Sequence, residues 1–209
     1  MTPALISLVA AYLLGGVPTG YIAGKLLRGI DIRSQGSGNV GATNAMRVLG
    51  PAIGVPVMLL DIGKGLGAIM LGRWLLAGVA GADYWLLGVG AAAIFGHIFT
   101  IFLRFRGGKG VATSAGVFAG LTPIPFLIAL AVFALVVALS RYVSLGSILS
   151  VTALFAAELV RNITGGWNEL HLLAMTFLIA VLIIVKHKAN IKRLVQGNEN
   201  RLNFSQKEK

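Results

Sequence analysis

The chain has 209 residues, 56% of them hydrophobic and only 12% charged, with 18 basic side chains against 7 acidic ones for a net charge of +11. A soluble domain carries about 25% charged residues, so this composition excludes an ordinary water-soluble fold and points to one embedded in lipid. The absence of cysteine excludes disulfides and Cys-based zinc sites. The basic residues fall at the ends of apolar runs and in the tail, as in cytoplasmic membrane loops, so nucleic acid is not an expected partner.

A hydrocarbon core about 30 Å thick takes about 20 apolar residues per crossing. In chain order the spans fall at roughly 4–24, 52–80, 85–103, 113–122, 124–140, 143–160 and 169–186. Residues 4–14 have no basic flank and no cleavage site, which reads as an uncleaved first helix. That span is interrupted by Gly15-Gly16 and Pro18, and the second carries Asp61 and Lys64. The break Thr122-Pro123-Ile124-Pro125 divides 113–140 into a short piece and a longer one. Trp74, Tyr84, Trp85 and Trp167 suit the outer interface, and Glu169 and His171 are placed at the outer surface.

Charge sets the orientation. Segment 25–47 holds Lys25, Arg28, Arg33 and Arg47 against Asp31, and segment 104–109 holds Arg104, Arg106 and Lys109. The tail holds Lys186, Lys188, Lys192, Arg193, Arg201, Lys207 and Lys209. All three belong on the cytoplasmic side. The first 24 residues carry no charged side chain, so the N-terminus goes outside. The tail lands inside if 113–140 crosses twice, or if 113–125 forms a re-entrant pair. The expected fold is an all-α integral membrane protein with seven transmembrane helices, N-terminus outside and C-terminus cytoplasmic. It forms one membrane-embedded domain over 1–209, with short cytoplasmic or re-entrant loops and a basic tail from about 187.

Five segments carry candidate chemistry. In Gly36-Ser37-Gly38-Asn39-Val40-Gly41-Ala42-Thr43-Asn44, small side chains would let backbone N–H groups approach a phosphate, with Arg47 one helical turn on. Thr43 or Asn44 would cap a short helix that Gly50-Pro51 stops. In Gly107-Gly108-Lys109-Gly110 the Walker spacing fails, yet glycines and a lysine feeding a helix start form an anion cradle. Asp61 and Lys64, three apart within a span, read as a mutually neutralising pair that shapes the site. Ser144 and Ser147 follow Arg141-Tyr142 at a helix start, where their hydroxyls cap the helix or touch a phosphate. In 186–194, helical spacing puts His187, Asn190, Ile191 and Leu194 on one face, away from Lys188, Lys192 and Arg193. His97 reads as a packed histidine and Glu199 as a structural residue of the tail.

Together, GSGNVGATNAMRVLG at 36–50, LDIGKG at 60–65, FRGGKGVAT at 105–113, RYVSLGSI at 141–148 and HKANIKRL with GNE at 187–199 resemble the bacterial membrane family of acyl-phosphate:glycerol-3-phosphate acyltransferases. The pieces occur in the family's order and cover most of the chain. Thr100 stands where family members often have proline, which leaves the local helix bend open. The resemblance implies transfer of an acyl group from acyl phosphate to the sn-1 hydroxyl of glycerol-3-phosphate. The products would be lysophosphatidic acid and phosphate, made at the cytoplasmic face of the bacterial inner membrane with no metal and no cofactor. Gly107, Gly108, Lys109 and Gly110 are assigned to the phosphate of glycerol-3-phosphate. Ser37, Arg47, His187 and Asn190 are assigned to catalysis. Gly36, Gly38, Asn39, Thr43, Asn44, Ser144 and Ser147 are assigned to substrate binding, with Asp61, Lys64 and Glu199 in support. The proton goes to His187, with Asn190 orienting it or the glycerol hydroxyls, or else to a substrate phosphate oxygen. The chain has no Gly-x-Ser-x-Gly elbow, so no acyl-enzyme is expected. A transporter of phosphate or an organophosphate is the alternative class, and a binder of anionic lipid the third.

Overall fold

Pro18 sets the first feature of the chain. It has no N–H to donate and disfavours a helical residue before it, so a first helix α1 (Thr2–Gly16) stops short of it and α2 (Thr19–Arg28) restarts at an angle of 41°. This computed structural model describes residues 2–202; Lys207 and Lys209 of the tail lie outside the described residues. After a 3-10 turn at Ile32–Ser34 come α3 (Ala42–Leu49) and α4 (Pro51–Leu75), divided by Gly50, whose φ of 87° suits glycine. Then follow α5 (Ala82–Ile98), a 3-10 turn at Ile101–Leu103, α6 (Val111–Leu121), α7 (Pro123–Ser140), α8 (Val143–Thr164), α9 (Leu170–Lys186) and α10 (Lys188–Val195). The described residues contain no strand.

The first compact unit runs over Met1–Leu121. In it α1 packs on α5 and α4 on α6, with α3 and α2 laid against α4. The close pairs depend on small residues. A side chain at Gly96 would strike the Tyr12 carbonyl of α1, and one at Gly116 would strike the Ile62 carbonyl of α4. Such backbone approach is how helices associate where lipid supplies no hydrophobic drive. The second unit, Thr122–Lys209, pairs α7 with α8 and α8 with α9, and α10 lies against both α8 and α9.

Among the described residues four helices, α4, α5 with its 3-10 extension, α7 and α8, are long and apolar enough to cross a membrane, and counting each of the bent pairs α1–α2 and α9–α10 as one span makes six. Each coincides with a span expected from the sequence. The seventh expected span is α6, which has only 11 residues, about 16 Å of helix. On α7, Leu127, Leu135 and Leu139 are exposed. A row of bare leucines is a liability in water and ordinary in contact with acyl chains.

Candidate active site

The 36–47 segment is built around one amide. Asn44, 1% exposed, accepts the N–H of Ser37 at 2.8 Å. It donates to the carbonyls of Asn39 at 2.8 Å and of Ile32 and Gln35 at 3.1 Å each. Ile32, Val40, Ala45 and Leu49 form the apolar floor beneath it. Gly36 is demanded twice over: its φ is 59°, and a side chain there would strike Asn44 Oδ1. Two expectations are corrected. Neither Thr43 nor Asn44 caps α3, because the helix begins two to three residues earlier, behind Gly41, with no side-chain cap. Nor are all of the loop amides open. Ser37 N–H goes to Asn44, Gly38 N–H to the Gln35 carbonyl at 3.0 Å, and Gly41 N–H to Asn39 Oδ1 at 2.8 Å. A loop must satisfy its own backbone first. What it presents outward is exposed Ser37, half-buried Thr43 and Arg47, and the α3 N-terminus. Arg33 is engaged elsewhere: it clamps Asp31 at 2.6 Å and lies 4.9 Å from the centre of the Tyr21 ring. Its hydrogen bonds lower the Asp31 carboxyl to about 2.

Beneath lies a buried polar knot. Lys64 Nζ sits 2.8 Å from Asp61 Oδ1 and donates to the Val17 carbonyl at 2.8 Å. Thr19 donates to the same Asp61 oxygen at 2.7 Å. The Pro18 break orphans carbonyls at the end of α1, and a lysine of α4 satisfies one of them. His97, buried in the same knot, has its Nδ1 at 3.6 Å from Asp61 Oδ1, beyond hydrogen-bond distance and without a hydrogen-bond partner among the described residues. The α-helix of α5 ends at Ile98 and passes into the 3-10 turn at Ile101 without a proline. Thr100 Oγ1 donates to the Gly16 carbonyl at 2.6 Å and accepts the N–H of Phe102 at 3.3 Å.

The glycine–lysine loop folds back on the end of α5. Gly107 N–H donates to the Ile98 carbonyl at 3.1 Å and Gly108 N–H to the His97 carbonyl at 3.0 Å. The expected cradle is corrected accordingly: these two amides hold the loop down and do not face a ligand. Gly110, at φ 88°, turns the chain into α6, whose first N–H groups have no partner within the helix. Two buried hydroxyls in that turn, Thr113 Oγ1 and Ser114 Oγ, have no hydrogen-bond partner among the described residues. Lys109 is half-buried between Gly108 and Gly110.

In the second unit Glu199 gathers three partners. It accepts from Ser144 Oγ at 2.9 Å, Asn190 Nδ2 at 2.7 Å and Arg193 Nε at 2.7 Å. Neither serine caps α8, since its N-cap is Tyr142 without a side-chain bond, and Ser147 donates to the Val143 carbonyl at 2.9 Å. Asn190 Nδ2 donates to the Glu199 carboxylate. His187, 2% exposed, stands at the 59° bend between α9 and α10, its Nδ1 2.8 Å from the Ile183 carbonyl. A carbonyl only accepts, so Nδ1 carries a proton toward it.

Burial pushes the Glu199 carboxyl up, but the bonds from Asn190, Arg193 and Ser144 outweigh it, and the group titrates below its ordinary 4.5. A lowered folded value adds stability above the unfolded value that is lost as pH falls through the folded one. Glu199→Gln is therefore expected to lower the unfolding temperature at neutral pH and to converge with the unmodified protein in acid. Thermal unfolding in detergent across pH checks this; parallel curves would refute it.

Sequence reasoning missed Glu158. It is fully buried in α8 and bonded to Thr122, with Arg161 Nη1 at 3.4 Å. Arg161 also reaches Glu169 at 2.5 Å. The i, i+3 spacing of Glu158 and Arg161 within an apolar run was the available signal. No three His, Cys, Asp or Glu side chains gather to hold a metal among the described residues.

The sequence model of the family described as glycerol-3-phosphate acyltransferase matches residues 5–197. Among similar proteins, the glycerol-3-phosphate acyltransferase of Geobacter sulfurreducens is 47% identical over 199 residues, covering 94% of this chain and 96% of the relative. That of Chlorobaculum tepidum is 44% identical over 227 residues, covering 97% and 98%. A crystal structure of PlsY (YgiH), an integral membrane glycerol 3-phosphate acyltransferase in its glycerol 3-phosphate form, superposes with a TM-score of 0.83 at 37% identity, covering 96% of each chain. Its lysophosphatidic acid form gives 0.81 at 36%.

Proposed function

The chain belongs to the glycerol-3-phosphate acyltransferase family, and from that premise we propose that it acylates the sn-1 hydroxyl of glycerol-3-phosphate with acyl phosphate as donor. The observation that carries this reading is the 107–110 loop. Its glycines are tied to the end of α5, so Lys109 and the amide-rich start of α6 form one fixed anion site. In the reaction the glycerol hydroxyl oxygen attacks the acyl carbonyl carbon. The bond from that carbon to the phosphate oxygen then breaks, inorganic phosphate leaves, and the hydroxyl proton passes to His187 Nε2. Phosphate is a good leaving group from a mixed anhydride, so positioning supplies much of the rate. Arg47 and Ser37 take the acyl phosphate and the developing oxyanion, and Lys109 takes the acceptor phosphate. Ser144 and Asn190 act through their shared carboxylate, Glu199. The chain crosses the bacterial inner membrane seven times with its N-terminus outside, α6 serving as the short crossing. One point supports this: the basic segments then share the cytoplasmic side.

Phosphate release from acyl phosphate by the purified protein in lipid tests the reading. Release is expected only when glycerol-3-phosphate is present; release without it would indicate a hydrolase. Arg47→Ala is expected to lower kcat/KM by about 10²–10³-fold, as for loss of an oxyanion donor. Lys109→Ala is expected to raise the KM for glycerol-3-phosphate about tenfold with a smaller change in kcat. Near-normal kinetics in both variants would undo these assignments.

A further inference from the structure

We propose that His97 is a positioning residue for the acceptor: wedged between the Asp61–Lys64 pair and the backbone of Gly108, it fixes where the loop delivers Lys109. This rests on the reading of that loop as the glycerol-3-phosphate site. His97 is 6% exposed and meets both neighbours. Its Nδ1 lies 3.6 Å from Asp61 Oδ1, and Asp61 is itself held by Lys64 at 2.8 Å and Thr19 at 2.7 Å. That approach is longer than a hydrogen bond, and Nδ1 has no hydrogen-bond partner among the described residues, so the ring lies beside the ion pair as a packed neighbour. On the opposite edge, Nε2 occupies the space that a Gly108 side chain would need. The His97 carbonyl accepts Gly108 N–H as well, at 3.0 Å.

Gly108 is outside the left-handed region, so its backbone conformation does not call for glycine. The His97 ring does. Lys109 is the next residue along, and a displacement of the ring reaches it through one peptide.

Steady-state kinetics in both substrates test this. Gly108→Ala alone is expected to raise the KM for glycerol-3-phosphate at least about tenfold, leaving the KM for acyl phosphate within about twofold. In a His97→Ala background the same change is expected to add no further penalty, because the ring that the new methyl strikes is gone. His97→Asn keeps an N–H toward Asp61 and is expected to retain more acceptor affinity than His97→Phe, which keeps only the ring. Should His97→Ala fail to fold, the cycle runs on His97→Asn, whose shorter side chain also clears Gly108. Additive penalties, or His97 variants that change both KM values alike, would overturn the inference while leaving the loop assignment intact. A Lys109→Ala variant with unchanged KM for glycerol-3-phosphate would instead overturn the loop assignment itself.

Discussion

His187→Gln is expected to lower kcat by roughly 10²–10⁴-fold, the usual contribution of a general base, with little change in either KM. The bend after α9 explains why this histidine suits the role. The chain turns at His187, so the Ile183 carbonyl accepts both its N–H, at 3.1 Å, and its Nδ1, at 2.8 Å. One carbonyl thereby fixes the ring's position and keeps a proton on Nδ1. Glutamine has similar reach and polarity but cannot take a proton at neutral pH, so it separates basicity from packing at a buried site. Single-turnover rates, measured beside a thermal unfolding curve to show that the variant is folded, decide the matter. A loss smaller than about threefold would mean that a substrate phosphate oxygen takes the proton.

Asp61→Ala is expected to destabilise the folded protein by about 3–5 kcal/mol, the cost of leaving one partner of a buried ion pair uncompensated. The side chains of Lys64 and Asp61 are only 5% and 2% exposed, and Thr19 would lose its acceptor too. Replacing both charges, Asp61→Leu with Lys64→Met, is expected to recover most of the loss, because apolar packing substitutes for a buried pair at little net cost. The recovery is incomplete: the Val17 carbonyl keeps no donor, a deficit of about 1 kcal/mol. Unfolding in detergent micelles with added denaturant measures the series. An Asp61→Ala variant within about 1 kcal/mol of the unmodified protein would contradict the account.

The helices were legible because lipid imposes a simple rule: apolar length sets the span and glycine or proline ends it. Gly50-Pro51, Pro18 and the Thr122–Pro125 break all interrupt helices where their chemistry requires. The positions of the polar residues were legible as well, but their partners were not. Asn44 looked like a cap and is instead the hub of a loop, because its bonds to Ile32, Gln35, Ser37 and Asn39 depend on a fold-back that no local spacing encodes. Gly107 and Gly108 looked like open amides, but their acceptors on α5 lie across a turn formed by positive-φ Arg104 and Phe105. Glu199 looked like a tail residue, and its link to Ser144 spans 55 residues. Local pattern marks which residues are unusual; only chain topology supplies the groups that they meet.

The Asp61–Lys64 pair also bears on how the protein responds to an energised membrane. A lone charge that moves through the bilayer field exchanges about 2.3 kcal/mol with each 100 mV, which lets a transporter couple to voltage. Here the two opposite charges sit three residues apart on one helix and touch. Any motion of α4 carries them together, and their sum through the field is zero. Acyl transfer in sealed vesicles is therefore expected to run at the same rate whether or not a potential is imposed.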